Sequence, residues 1–115
     1  MTFVVHHIPG TGPLLRSEAD ATDLLGETYG TGAEMIAIPV GRLDPDFFDL
    51  STRVAGLFTQ KLLNYRMRVA IVGDISAHLD RSEALRDYVL ESNRGRQLWF
   101  VADEHQLTAR LGRAA

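Results

Sequence analysis

The chain contains no cysteine. That single absence removes disulfides, thiolate zinc sites and thiol nucleophiles together. Also missing is any apolar stretch near the ~20 residues that a membrane span requires. The first fifteen residues do not join a basic start to a long apolar run, so neither a signal peptide nor an anchor is expected. A cytoplasmic setting fits both absences. Positive charge is not in excess, because twelve Lys and Arg face fifteen Asp and Glu for a net charge of -3. That balance disfavours nonspecific contact with phosphate backbones, so neither nucleic acid nor membrane is an expected partner. Neither G-x-G-x-x-G nor G-x-x-x-x-G-K-[ST] follows a strand-like run, and no G-x-S-x-G elbow accompanies the serines, so nucleotide hydrolysis and triad hydrolysis lack their motifs. Internal repeats and low-complexity tracts are absent.

What is present is an ordinary globular composition over 115 residues, 45% hydrophobic and 23% charged, which suits a single domain spanning 1–115. Phe3 to Ile8 reads as a strand, and Pro9, Gly10, Thr11, Gly12 and Pro13 predict a turn with Pro13 to Leu15 returning as a hairpin. Ser17 is a helix cap with Asp20 at the third helical position, and Ala21, Leu24, Leu25 and Tyr29 supply the apolar face up to a terminator at Gly30. Met35 to Val40 predicts a strand covered on both sides.

From Phe47, the spacing of Leu50, Val54, Leu57, Phe58, Leu62 and Tyr65 predicts one long helix, with Leu57 inward and Thr59 off the apolar stripe. On that reading Leu57→Ala empties a core position at a cost of about 2 to 5 kcal/mol, and Thr59→Ala costs far less. Val69 to Val72 is a β-branched strand ending at Gly73 and Asp74. Leu85, Tyr88 and Val89 mark a third helix, opened at Ser82 or at Asp80 with Glu83 and closed by a left-handed Gly95. Leu98 to Ala102 is the last strand, and Asp103 with Gln106 caps a final helix whose apolar edge is Leu107 and Leu111. The expectation is an α/β fold, a mixed and mostly parallel sheet of about five strands with about four helices and an N-terminal hairpin.

Chemistry-bearing residues gather at the expected strand and helix ends, where α/β proteins place ligands. Asp44, Asp46 and Asp49 precede the long helix, where paired carboxylates can act on a cation or a proton and single ones cap a helix. Asp74 follows the Val69 to Val72 strand. Asn93, Arg94 and Arg96 surround a glycine after the third helix, a set that can clamp a carboxylate or phosphate or simply complete a helix stop. His6 and His7 are adjacent in a strand and point to opposite faces, while His78 and His105 have no ligand spacing. No metal site and no cofactor is expected from these patterns.

Several blocks occur in one order: Asp46-Phe47-Phe48-Asp49-Leu50, Ala55-Gly56, Gln60-Lys61, Asn64-Tyr65-Arg66, Ala70-Ile71-Val72-Gly73-Asp74, Leu85-Arg86-Asp87 and Glu91-Ser92-Asn93-Arg94-Gly95-Arg96. In them the chain resembles the bacterial domain-of-unknown-function family 4180, which carries no activity to transfer. The element order and the Phe48-Asp49-Leu50-Ser51-Thr52 segment are similar to STAS domains, which act by partner switching. That resemblance implies Asp49 as the family acid and Ser51 as a phosphorylatable serine at the start of the long helix, although Leu50 and Thr52 depart from the Asp-Ser-Ser-Gly pattern. The expected function is a non-catalytic regulatory module that binds a partner protein or small ligand. The alternative is a small enzyme using Asp46, Asp49 and Asp74 with a clamp from Arg94 or Arg96, and an exposed hairpin edge also allows a homo-oligomer.

Overall fold

A computed structural model describes residues 4–114; Phe3, the first residue of the expected opening strand, lies outside them. The elements are β1 (Val5–His7), α1 (Glu18–Thr28), β2 (Met35–Pro39), α2 (Val54–Asn64), β3 (Arg68–Val72), α3 (Ser76–Arg81), α4 (Glu83–Arg94), β4 (Leu98–Val101) and α5 (Glu104–Ala114). All four strands are parallel and lie in the order β1-β2-β3-β4. The predicted α/β class and the parallel run of β2, β3 and β4 are therefore present, with one strand fewer and one helix more than expected.

Register explains the layering. Ile36, Val69 and Leu98 form one cross-strand row, and Ile38, Ile71 and Phe100 the next on the same face. These rows pack with Leu24 of α1, Phe58 and Leu62 of α2 and Leu85 of α4 in the larger core. The alternate row, Ala37, Ala70 and Trp99, looks the other way, and there α5 covers it through Leu107 and Leu111. Two alanines in that row leave the space that a lone helix needs to lie close to the sheet. The same alternation sends His6 towards Glu27 of α1 and His7 towards Glu104 of α5, as their adjacency in a strand requires.

The N-terminal hairpin is not formed. Leu15 instead makes an isolated parallel bridge to Leu43, its N–H donating to the Arg42 carbonyl and its carbonyl accepting from Asp44 N–H. Pro9 and Pro13 have no N–H to offer a returning ladder. The buried Arg42 guanidinium then takes over the turn by donating to the carbonyls of Pro9, Thr11 and Pro13. Gly12, at φ +145, lies so close to that guanidinium that a Cβ would meet it at 2.8 Å. No motif or periodicity singles out Arg42 in the sequence, although it organises the whole β1–α1 loop.

The single long helix from Phe47 is also corrected. Residues 45–48 and 50–52 form two 3₁₀ turns, and α2 begins only at Val54, after Arg53 in the left-handed region at φ 65. The Asp44 and Asp49 carboxylates accept the N–H groups of Asp46 and Ser51, giving the backbone a local partner in place of a continuing helix. The break turns the helix face. Val54, Ala55, Phe58, Thr59 and Leu62 point inward, so Thr59 is 4% exposed whereas Leu57 is 52% exposed. The Thr59 hydroxyl is satisfied by donating to the Ala55 carbonyl at 2.7 Å. Tyr65 is exposed as well.

Caps define the remaining ends. At α1, Ser17 and Asp20 form a reciprocal capping box. Tyr29, expected inward, has left helical geometry and is 91% exposed. Ser82 opens α4 by accepting from Leu85 N–H, and Asp103 opens α5 by accepting from Gln106 N–H. Gly95 closes α4 in an extended conformation, φ -90, rather than the left-handed one expected. The segment expected to be loop after Gly73 contains the short helix α3.

Two measurements follow. Phe58→Ala should cost about 3 to 5 kcal/mol as a fully buried ring is removed, while Leu57→Ala should fall within about 0.5 kcal/mol of wild type; urea melts give both values. The Asp20 carboxyl is held below the usual range by the N–H groups of Ser17 and Arg16. A depressed carboxyl stabilises the fold above its unfolded value of about 3.9 and loses that effect as pH falls through the folded value. Asp20→Asn should therefore lower the thermal midpoint near neutral pH, and the gap from wild type should close as melts are moved below about pH 4.

Candidate functional site

The carboxyl ends of the strands carry the acids. Asp44 caps the turn at residues 45–48, and Asp46 within it accepts from the Arg16 guanidinium at 2.9 Å. The hydrogen bond and charge of Asp46 raise the Arg16 pKa above its usual value. Asp49 accepts from the N–H of Ser51 at 3.1 Å and from its hydroxyl at 2.6 Å. The structure thus brings Asp49 and Ser51 together, but in a 3₁₀ turn separated from α2 by Arg53 rather than at the start of a long helix. A phosphate on the exposed Ser51 would stand beside the Asp49 carboxylate, an unfavourable pairing of like charges.

Asp74 lies beyond β3 and repeats the motif, accepting from the N–H and the hydroxyl of Ser76. These bonds, the hydroxyl's first, hold its carboxyl below the usual range. Asp74 and Ser76 sit at the mouth of a mainly apolar cavity of about 190 Å³ between the ends of β3 and β4, with Ile71, Leu79, Val89 and Phe100 in its wall. Gly73, at φ +144, is pressed against Val40, where a Cβ would come within 2.8 Å of a methyl group. Nearby, His78 of α3 stacks on Phe48 with ring centroids 4.2 Å apart. Among the described residues, no group of three His, Cys, Asp or Glu is arranged to hold a metal ion.

Arg94 and Arg96 lie at the opposite end of the sheet, whereas Asn93 reaches along the outer edge of β4 to Phe100. β3 and β4 are parallel with Val69 beside Leu98 and Val72 beside Val101. The segment that enters β4 and the segment that leaves β3 are therefore separated by the four residues of β4, roughly 13 Å at the usual strand rise. The acids and the arginines do not meet.

Asn93 has a structural role of its own. Its amide donates to the Phe100 carbonyl at 3.2 Å and its oxygen accepts from Phe100 N–H at 2.7 Å. Odd-numbered residues of β4 bond to β3, so Phe100 faces the free edge, and Asn93 closes that edge as a neighbouring strand would. The Gln106 side chain does the same for the next outward N–H, that of Ala102.

Arg94 makes one exposed ion pair, with Glu91 at 3.4 Å. Arg94 and Arg96 share a surface depression of about 370 Å³ with Arg110 and Arg113 of α5, over Trp99. The last two carry no motif in the sequence that marks them as part of a site. Their spacing of three places both on one side of a helix, but only the packing of α5 beside the entry to β4 brings them to the other pair.

Asn93→Leu should cost about 1 to 3 kcal/mol by leaving the Phe100 backbone groups unpaired. It should also promote self-association through the opened β4 edge, visible as a concentration-dependent rise in sedimentation coefficient.

Among the described residues no helix is long and apolar enough to cross a membrane. No curated protein and no solved structure matches the chain. Residues 2–111, nearly the whole length, match the family described as Domain of unknown function (DUF4180), and the protein belongs to that family.

Proposed function

We propose that the domain is a non-catalytic, STAS-like regulatory module that binds a partner protein or small ligand. The observation that carries this reading is the separation of the polar groups. Asp46, Asp49 and Asp74 sit at the carboxyl end of the sheet, each engaged by a neighbouring side chain, whereas Arg94 and Arg96 lie at the amino end. General acid–base work needs a proton donor and acceptor within reach of the same substrate atoms, and anion clamping helps chemistry only beside them. Binding has no such requirement. The cavity beside Asp74 and the arginine face are each self-sufficient places for recognition.

The test couples binding to turnover. The folded protein is screened by thermal shift against phosphorylated, carboxylated and uncharged metabolites, and each compound that raises the midpoint is recovered for mass spectrometry. The expected result is a ligand recovered unchanged, bound within about threefold as tightly by the Asp46→Asn, Asp49→Asn, Asp74→Asn triple variant. Conversion of a bound compound by wild type that disappears in the triple variant would establish the enzyme instead. Ser51→Asp, which adds a carboxylate beside Asp49, should leave that binding unchanged. Altered binding with an unaltered melt would make Ser51 a phosphoswitch.

A further inference from the structure

The end of α4, the entry to β4 and the last turns of α5 set Arg94, Arg96, Arg110 and Arg113 around one surface depression in a protein whose net charge is -3. Glu91, paired to Arg94 at the rim, is the one carboxylate ion-paired to any of them among the described residues. Arg110 is not a loose surface side chain. Its guanidinium carbon lies 4.3 Å from the centre of the Trp99 ring, and its Nη2 donates to the carbonyls of Asn93 and Gly95. Trp99 is buried and fixed in turn by donating its indole N–H to the Gly95 carbonyl at 2.8 Å. One cation is thus held in place by stacking and hydrogen bonds, which lowers the ordering cost of using it in recognition. Partial burial, with a smaller effect from the neighbouring Arg113 charge, pushes the Arg110 guanidinium pKa down. An anion between these cations would relieve that repulsion.

We propose that Arg94, Arg96, Arg110 and Arg113 form a binding site for a small molecule bearing a phosphate or diphosphate group. The inference rests on the reading of the domain as a binding module and names a ligand class for it. A carboxylate brings two oxygens and a single charge, whereas a phosphate or diphosphate brings more acceptor oxygens and a larger charge, and so matches a cluster of several guanidinium groups better. The area suits a compact anion: the depression is about 370 Å³, and Arg110 and Arg113 also border an adjoining one of about 380 Å³ beside His105 and Gln106, which can take the rest of such a molecule. A long polyanion would extend past the arginines over the surface of a net acidic protein, which opposes nucleic acid.

The chain has one tryptophan, so its fluorescence reports this site. The experiment titrates the full chain with sodium pyrophosphate and watches Trp99 emission, with sodium chloride at matched ionic strength as the control. Orthophosphate, malonate and a single-stranded oligonucleotide form separate arms. The expected result is a saturable change with pyrophosphate, a weaker one with orthophosphate and none with chloride. Affinity should fall at least about tenfold in the Arg96→Gln, Arg113→Gln variant, which retains Arg110 on Trp99 and should melt as wild type does. An equal response to chloride, unchanged affinity in the variant, or tighter binding of malonate or the oligonucleotide than of pyrophosphate would overturn the assignment. A null with pyrophosphate while another compound binds sinks this site and leaves the binding module standing. Hydrolysis of pyrophosphate by the bound protein would retain the site and remove the non-catalytic reading.

Discussion

The structure depends on one constraint: four parallel strands in unbroken order, joined by crossovers that place their helices on the same face. A right-handed connection from each strand to its next neighbour puts every crossover helix on one side, so α1, α2 and α4 share the larger core. Ligand crevices in open α/β sheets arise where the strand order reverses and adjacent loops part to opposite faces. No reversal occurs here. The acids at the carboxyl end consequently belong to separate turns rather than to a shared cleft. The other face is left to α5, and the same arrangement brings the end of that helix beside the entry to β4, where the arginines collect.

The polar side chains divide according to the backbone groups within their reach. Asp44, Asp49, Asp74 and Asp103 each accept a backbone N–H two or three residues ahead, so their charges complete turns and helix starts. Asn93 and Gln106 bond to backbone as well, but across the edge of β4, where they substitute for an absent fifth strand. Arg42 collects three carbonyls of one loop and is buried in doing so. The arginines at the amino end differ. Arg110 donates to two carbonyls, while Arg96 and Arg113 make no ion pair among the described residues, and their field is what an approaching anion meets. A protein acidic overall thus carries a locally positive end, a polarity that composition alone conceals.

The sequence by itself determined the parts that rest on short-range physics. Apolar runs at Met35 to Val40, Val69 to Val72 and Leu98 to Ala102 marked the strands, the first and last each one residue longer than β2 and β4, and Ser17 and Asp103, with Ser82 as one of two candidates, marked helix starts through their own side-chain bonds. The family, too, was legible in the motif blocks. Tertiary structure decided whatever depends on residues distant in the chain. The helix at Phe47 broke for a local reason, Asp44 and Asp49 taking the N–H groups of Asp46 and Ser51, but which face α2 then buries, Thr59 and not Leu57, was set by its packing on the sheet. The hairpin failed because Arg42, about thirty residues away, drew the turn around its guanidinium. The arginine face formed because α5 folds back along β4, setting Arg110 and Arg113 beside Arg94 and Arg96. Periodicity records which residues lie on one side of an element, but only packing determines what that side meets.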